Sequence, residues 1–148
     1  MATDVPTPRD LAARLIANAR RGGRASASGA VEAAATAFDG LAAELCRWLG
    51  AGGCHALLAR ALVHAKADHP ALAGLAIVGG SNPRLDQVAE GVQAHGARRV
   101  GAGLEAALVA LLELVGRLIG DDLSVKLAEL SMTNGVSDAA HHEDERAP

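Results

Sequence analysis

The scarcity of aromatic side chains constrains this fold more than any other feature of the sequence. Phe38 and Trp48 are the only representatives of Phe, Trp and Tyr, although 50% of the 148 residues are hydrophobic. A core without aromatic rings must be built mostly from Leu, Val and Ala. Ala and Leu are strong helix formers, whereas strands favour aromatic and β-branched residues. The sequence therefore predicts an all-α fold, a compact bundle of five to seven helices.

Capping signals and hydrophobic spacing locate the predicted helices. Thr7 suits an N-cap, Pro8 suits the first helical position, and Asp10 completes a capping box. Glycines from Gly50 to Gly53 should end the second helix, and Asn82-Pro83 should begin the fourth. For 71–82 we favour a short helix that turns into a loop, with a strand at 75–78 as the alternative. The predicted helices span residues 8–21, 30–49, 54–68, 83–95, 97–119 and 121–130.

Two of these helices carry unusually apolar faces. The second has hydrophobic residues at alternating steps of three and four, which is typical of shallow helix–helix packing; they are Val31, Ala34, Phe38, Leu41, Leu45 and Trp48. The helix at 97–119 is apolar around most of its circumference, so it should lie centrally or between subunits. Its predicted interface with a second copy comprises Leu104, Leu108, Leu111, Val115 and Leu118.

The hydrophobic pattern ends near residue 130, which predicts one domain over 1–130 and a flexible tail over 131–148. A formal charge of -3 and a pI near 6.0 argue against nucleic-acid binding. No stretch resembles a secretory signal or a membrane span, so we expect a cytoplasmic protein that does not bind membranes. The heavy use of Ala, Gly, Leu and Arg is typical of a GC-rich bacterial genome.

No enzyme motif is recognisable, and we assign no catalytic residue, no metal ligand and no cofactor. The spacing of Gly101, Gly103 and Ala106 matches a dinucleotide-binding fingerprint, but that motif requires a strand before it. Close helix packing explains these small residues better. His64 and Asp68 share a helix face, but a structural zinc site needs four ligands.

Two candidate sites remain. Cys46, Trp48, Cys54 and His55 surround the predicted turn at 50–53 and could line a ligand pocket, although two buried, inert thiols are the alternative. His64-Ala-Lys66 resembles the active helix of histidine phosphotransfer domains, which implies an exposed phosphoacceptor at His64. In that family the lysine comes three residues after the histidine and precedes a glycine, whereas here Lys66 comes two after and precedes Ala67.

The sequence favours a non-enzymatic regulatory or adaptor domain that binds a protein partner or itself, as a homodimer. A small-molecule sensor with an apolar cavity between helices is the first alternative, and a histidine phosphotransfer domain is the second. Apolar helix faces and the missing catalytic signature are the features on which this preference depends.

Overall fold

A computed structural model describes residues 7–21, 27–79 and 84–132 of the chain. Its helices are α1 (Pro8–Arg20), α2 (Ala27–Asp68), a 3-10 helix (Pro70–Leu72), α3 (Val88–His95), α4 (Ala97–Ile119) and α5 (121–132). Two short strands, β1 (Ala76–Val78) and β2 (Arg84–Asp86), form an antiparallel pair in which Ile77 faces Leu85. The prediction of a compact all-α bundle is confirmed, with this small hairpin as an addition.

The start of α1 follows the predicted chemistry. The Thr7 side chain accepts a hydrogen bond from the backbone N–H of Asp10 at 3.1 Å, and the Asp10 carboxylate accepts one from the N–H of Thr7 at 3.4 Å. This reciprocal capping box satisfies two N–H groups that the first helical turn leaves without partners. It fixes Pro8 as the first residue of α1, as predicted.

The two helices predicted at 30–49 and 54–68 are continuous except at one residue. Gly50 adopts φ 80° and ψ 162°, a conformation that L side chains rarely adopt, while residues 51–53 remain helical. The predicted stop over four residues is therefore wrong: a single glycine breaks α2. The predicted hydrophobic face is buried from Val31 to Leu45, but Trp48 beside the break is 54% exposed.

The segment between α2 and α3 differs most from the prediction. Pro70–Leu72 is a 3-10 helix, and 76–78 is a strand, which matches the alternative that the sequence left open. The prediction of a helix that begins at Asn82-Pro83 was wrong, because 84–86 form β2 and α3 begins only at Val88. Residues 80–83 lie outside the described part of the chain. Leu85 is buried from its position in β2.

Helix α4 forms the centre of the bundle. It contacts α1, α2, α3 and the 3-10 helix, and it supplies the largest share of fully buried leucines. Residues 121–132 continue as α5, which buries Leu127 and Ala128. The helix thus continues two residues beyond the predicted domain boundary at 130, and residues 133–148, most of the predicted tail, lie outside the described residues. The division into domain and tail stays a prediction.

Close packing against α4 depends on a glycine. A Cβ atom built on Gly103 would lie 2.7 Å from Cγ and Cδ2 of Leu72, a side chain that is completely buried. Gly101 and Gly103 lie inside α4, not in a turn that follows a strand. Packing therefore explains Gly103, as the sequence predicted, and the resemblance to a dinucleotide fingerprint has no structural counterpart.

Asp39 anchors the hairpin to α2. Its Oδ1 accepts a hydrogen bond from the backbone N–H of Leu85 at 3.0 Å. Burial raises the pKa of Asp39 above the ordinary value of 3.8, while the Leu85 hydrogen bond and the charge of Arg84 act in the opposite direction. Ionisation of this carboxylate is therefore less favourable in the folded protein than in water.

This pKa predicts a specific pH dependence for Asp39→Asn. Since the folded-state pKa is the higher one, the stability that Asp39 contributes is full below pH 3.8 and is lost as the pH rises through the folded-state value. We therefore expect the free energy of unfolding of wild type to fall relative to Asp39→Asn over that window. Urea denaturation across a pH series measures the difference, and parallel profiles would contradict it. Asp39→Ala is the control: it removes the acceptor of Leu85 and should cost about 1–3 kcal/mol.

Candidate functional site

An open groove of about 560 Å³ lies between α1, the C-terminal part of α2 and α4. We call it the α4 groove. One face of α4 forms its floor, where consecutive turns present small or medium apolar side chains. These side chains are half-buried, except for one alanine that is exposed. They are Ala102, Ala106, Val109, Ala110 and Leu114. Three alanines at intervals of four leave the helix backbone accessible to a close neighbour.

Ionisable side chains of both signs surround this floor. The first turn of α1 contributes Arg9, the end of α2 contributes His64 and Asp68, and His69 follows directly. The polar stripe of α4 supplies the remainder, which are Glu105, Glu113 and Arg117. The rim therefore carries charges of both signs, and its net charge alone does not select for anions or for cations.

The charges are distributed unevenly along the α4 groove. Pro8, next to Arg9, also borders a neighbouring depression lined by Glu113, Gly116 and Arg117. At the opposite end, the 3-10 helix that follows His69 packs on Gly103. Arg9 and Arg117 therefore lie toward the C-terminal end of α4, and Asp68 and Glu105 lie toward its N-terminal half. The end with the two arginines also carries Glu113, and the other end carries Asp68 and Glu105.

A second groove, of about 610 Å³, lies between α2 and α3. Its described lining includes Val31, Ala35, Val88 and Val92, and Glu32 is the one ionisable residue among those described. This groove offers an apolar surface but few polar groups that could orient a ligand. The α4 groove combines an apolar floor with polar groups around it, which is the usual composition of a binding site.

The histidines of the described ranges belong to no metal-binding cluster. Among the residues that the structure describes, no group of three or more His, Cys, Asp or Glu side chains could hold a metal ion. His64 is exposed on the wall of the α4 groove, whereas Lys66 is partly buried and does not line it. Phosphotransfer through His64 stays a prediction; covalent labelling of His64 by a phosphoramidate donor, absent in His64→Gln, is the measurement that checks it.

The ligand pocket predicted around the turn at 50–53 contains a disulfide instead of two free thiols. Cys46 and Cys54 form a disulfide with their Cα atoms 5.1 Å apart, so the alternative of two inert thiols was wrong. Trp48 and His55 are exposed, and none of the four side chains lines the α4 groove. The spacing of eight residues across a glycine break was the available signal for the cysteine pairing.

The predicted interface residues lie mostly inside the chain's own core. Leu104, Leu108, Leu111 and Val115 are at most 1% exposed, whereas Leu118 is 58% exposed. A second copy could reach only Leu118 of this set without unfolding α4. The sequence did not distinguish the face of α4 that enters the core from the face that lines a groove.

Sequence reasoning also missed most of the α4 groove. It did not connect the polar stripe of α4 with Arg9 or His69. The alanines between the stripe residues were the signal for a floor. Their relation to α1 and α2 depends on the packing of three helices.

Searches of protein-family models, of curated proteins and of solved structures found no match to this chain. Within the described ranges, no helix is both long and apolar enough to cross a membrane.

Proposed function

We propose that this protein is a non-enzymatic binding module that docks an amphipathic helix of a protein partner in the α4 groove. The observation that carries the proposal is the combination of an apolar, alanine-rich floor with a rim of charged side chains. Helix-in-groove recognition uses this arrangement, in which an apolar face enters the groove and polar residues stay at its edges.

The dimensions of the floor suit a short helix. Ala102 and Leu114 are twelve residues apart on α4, which corresponds to about 18 Å or three helical turns. Small residues at 102, 106 and 110 permit close approach of a second backbone. The proposed ligand therefore presents about three turns of small and medium apolar residues.

The charge distribution gives the docked helix a direction. Its positive N-terminal end is favoured beside Asp68 and Glu105, and its negative C-terminal end beside Arg9 and Arg117. Basic residues at the first end and acidic residues at the second would strengthen the same orientation. Each such contact contributes little by itself, but together they set direction and specificity.

The proposed partner is a different chain. The predicted dimer face of α4 is mostly buried in the chain's own core, so it is not available as the docked helix of a second copy. A homodimer, which the sequence favoured, would instead need an exposed apolar surface, and Leu118 and Leu123 are 58% and 41% exposed. Self-association through that surface stays a separate prediction.

Selection of helical peptides from a display library, followed by measured affinities, tests the proposal. We expect Ala106→Arg, which places a long cation on the floor, to weaken the selected peptides by at least about tenfold, since a central interface position is worth about 2 kcal/mol. Ala56→Arg is the matched control, because Ala56 is exposed on α2 and does not line the groove. Equal affinities for both variants would contradict docking in this groove.

A small-molecule sensor is the second candidate, and the groove's volume favours it. About 560 Å³ falls within the usual range of roughly 300–1,000 Å³ for small-ligand sites. Native mass spectrometry with a denatured control distinguishes the two functions. A reproducible extra mass that is lost on denaturation and absent in Ala106→Arg would support sensing.

The cytoplasm is the proposed location, on the sequence grounds given above. There, a disulfide in a mesophilic protein is usually transient, catalytic or redox-sensing, whereas exported proteins keep theirs permanently. The Cys46–Cys54 bond is thus the feature of the described structure that bears most directly on location.

A further inference from the structure

The disulfide joins the two halves of α2 across its break. Cys46 lies four residues before Gly50, and Cys54 lies four residues after it. Gly50 is the one position inside α2 with non-helical φ and ψ angles. The bond therefore closes a short loop around the one residue at which α2 is not helical.

The two sulfurs are in unequal surroundings. Cys54 is completely buried, whereas Cys46 is partly exposed at the edge of the core. A thiolate must reach a sulfur directly to attack it, so access selects which bond partner is attacked. Cys46 is the accessible sulfur, and attack there makes Cys54 the leaving group.

The protein's interior can accept the reduced form. Sγ of Cys54 lies 3.3 Å from the carbonyl oxygen of Ala42. Once reduced, the Cys54 thiol can donate a hydrogen bond to that oxygen without moving. A buried free cysteine otherwise behaves as a small hydrophobic residue, so the packing around position 54 suits both oxidation states.

We propose that the Cys46–Cys54 pair is a reversible redox site that a dithiol reductant opens by attack on Cys46. The reductant's thiolate bonds to Sγ of Cys46 and breaks the Cys46–Cys54 bond; Cys54 leaves as a thiolate and takes up a proton. The reductant's second thiol then attacks the mixed disulfide and releases Cys46 as a thiol. Two electrons pass to the protein, and the dithiol leaves as its own disulfide.

Alkylation of the folded protein tests this assignment. After treatment with dithiothreitol under native conditions, we expect N-ethylmaleimide to label Cys46 at least about tenfold faster than Cys54, because burial suppresses thiol reactivity. Far-UV circular dichroism should stay helical, and oxidised glutathione should restore the disulfide. The emission of Trp48, the sole tryptophan, reports the change beside the break.

Matched serine variants separate the two sulfurs without any reduction step. Cys54→Ser keeps the accessible thiol and should form a mixed disulfide with oxidised glutathione, whereas Cys46→Ser keeps the buried thiol and should react at least about tenfold more slowly. Equal rates for the two variants would overturn the assignment of Cys46. Loss of helical signal on reduction, or resistance of the native disulfide to dithiothreitol, would show a permanent structural bond and overturn the proposal.

Discussion

Replacing Leu108 with alanine is expected to lower the free energy of unfolding by about 2–5 kcal/mol. Leu108 is completely buried on α4, the helix that contacts α1, α2, α3 and the 3-10 helix. Truncation removes three carbon atoms from the centre of the core and leaves a cavity among elements that cannot all move inward together. Urea denaturation followed by circular dichroism measures the loss.

Leu118→Ala is the control on the same helix with the same chemical change. Leu118 is 58% exposed, so its truncation should change the free energy of unfolding by no more than about 0.5 kcal/mol. Similar losses for the two variants would mean that α4 is rotated about its axis relative to the described structure.

The same pair of variants addresses self-association. A dimer that used Leu118 would make the melting temperature depend on protein concentration, and Leu118→Ala would remove that dependence. Leu108→Ala would lower the melting temperature by the same amount at every concentration. A concentration-independent wild type would contradict a homodimer through this surface.

Local signals explain why some elements were predicted correctly. The capping box of Thr7 and Asp10 and the long leucine pattern of α4 depend on residues a few positions apart, and both helices have nearly the predicted bounds. Helix capping and amphipathic spacing are properties of a single segment. Such elements can be located without knowledge of their neighbours.

The hairpin was missed because its stabilisation is not local. Each strand has three residues, which is too short for an alternating pattern to be distinguished from a helical one. The bond from the Leu85 N–H to Asp39 joins residues 46 positions apart. Asn82-Pro83 is a strong helix-start signal, but pairing of 76–78 with 84–86 prevails over it.

The candidate site was predictable only in fragments. His64 and the polar stripe of α4 were visible in the sequence, whereas the α4 groove requires α1 and α2 to stand on either side of that stripe. Trp48 shows the same limit: its spacing continues the buried face of α2, yet its side chain, beside the break at Gly50, is 54% exposed. Burial depends on tertiary neighbours.

Gly103→Ala is expected to destabilise the protein, although alanine is the better helix former. The new Cβ would lie 2.7 Å from Cγ of Leu72, which is closer than van der Waals contact permits. Leu72 is completely buried, so neither its Cγ nor the 3-10 helix can retreat without disturbing the core. Overpacking of this kind costs about 1–3 kcal/mol, and the gain in helix propensity of about 1 kcal/mol offsets only part of it.

Gly101→Ala on the same helix isolates the steric contribution. Its Cβ would lie 3.6 Å from Cγ2 of Val31, an ordinary contact, so the propensity gain of about 1 kcal/mol should appear as added stability. Opposite signs for the two variants are therefore expected in urea denaturation. Equal stabilisation by both would contradict the close packing of Leu72 on Gly103, and with it the placement of the 3-10 helix at the acidic end of the α4 groove.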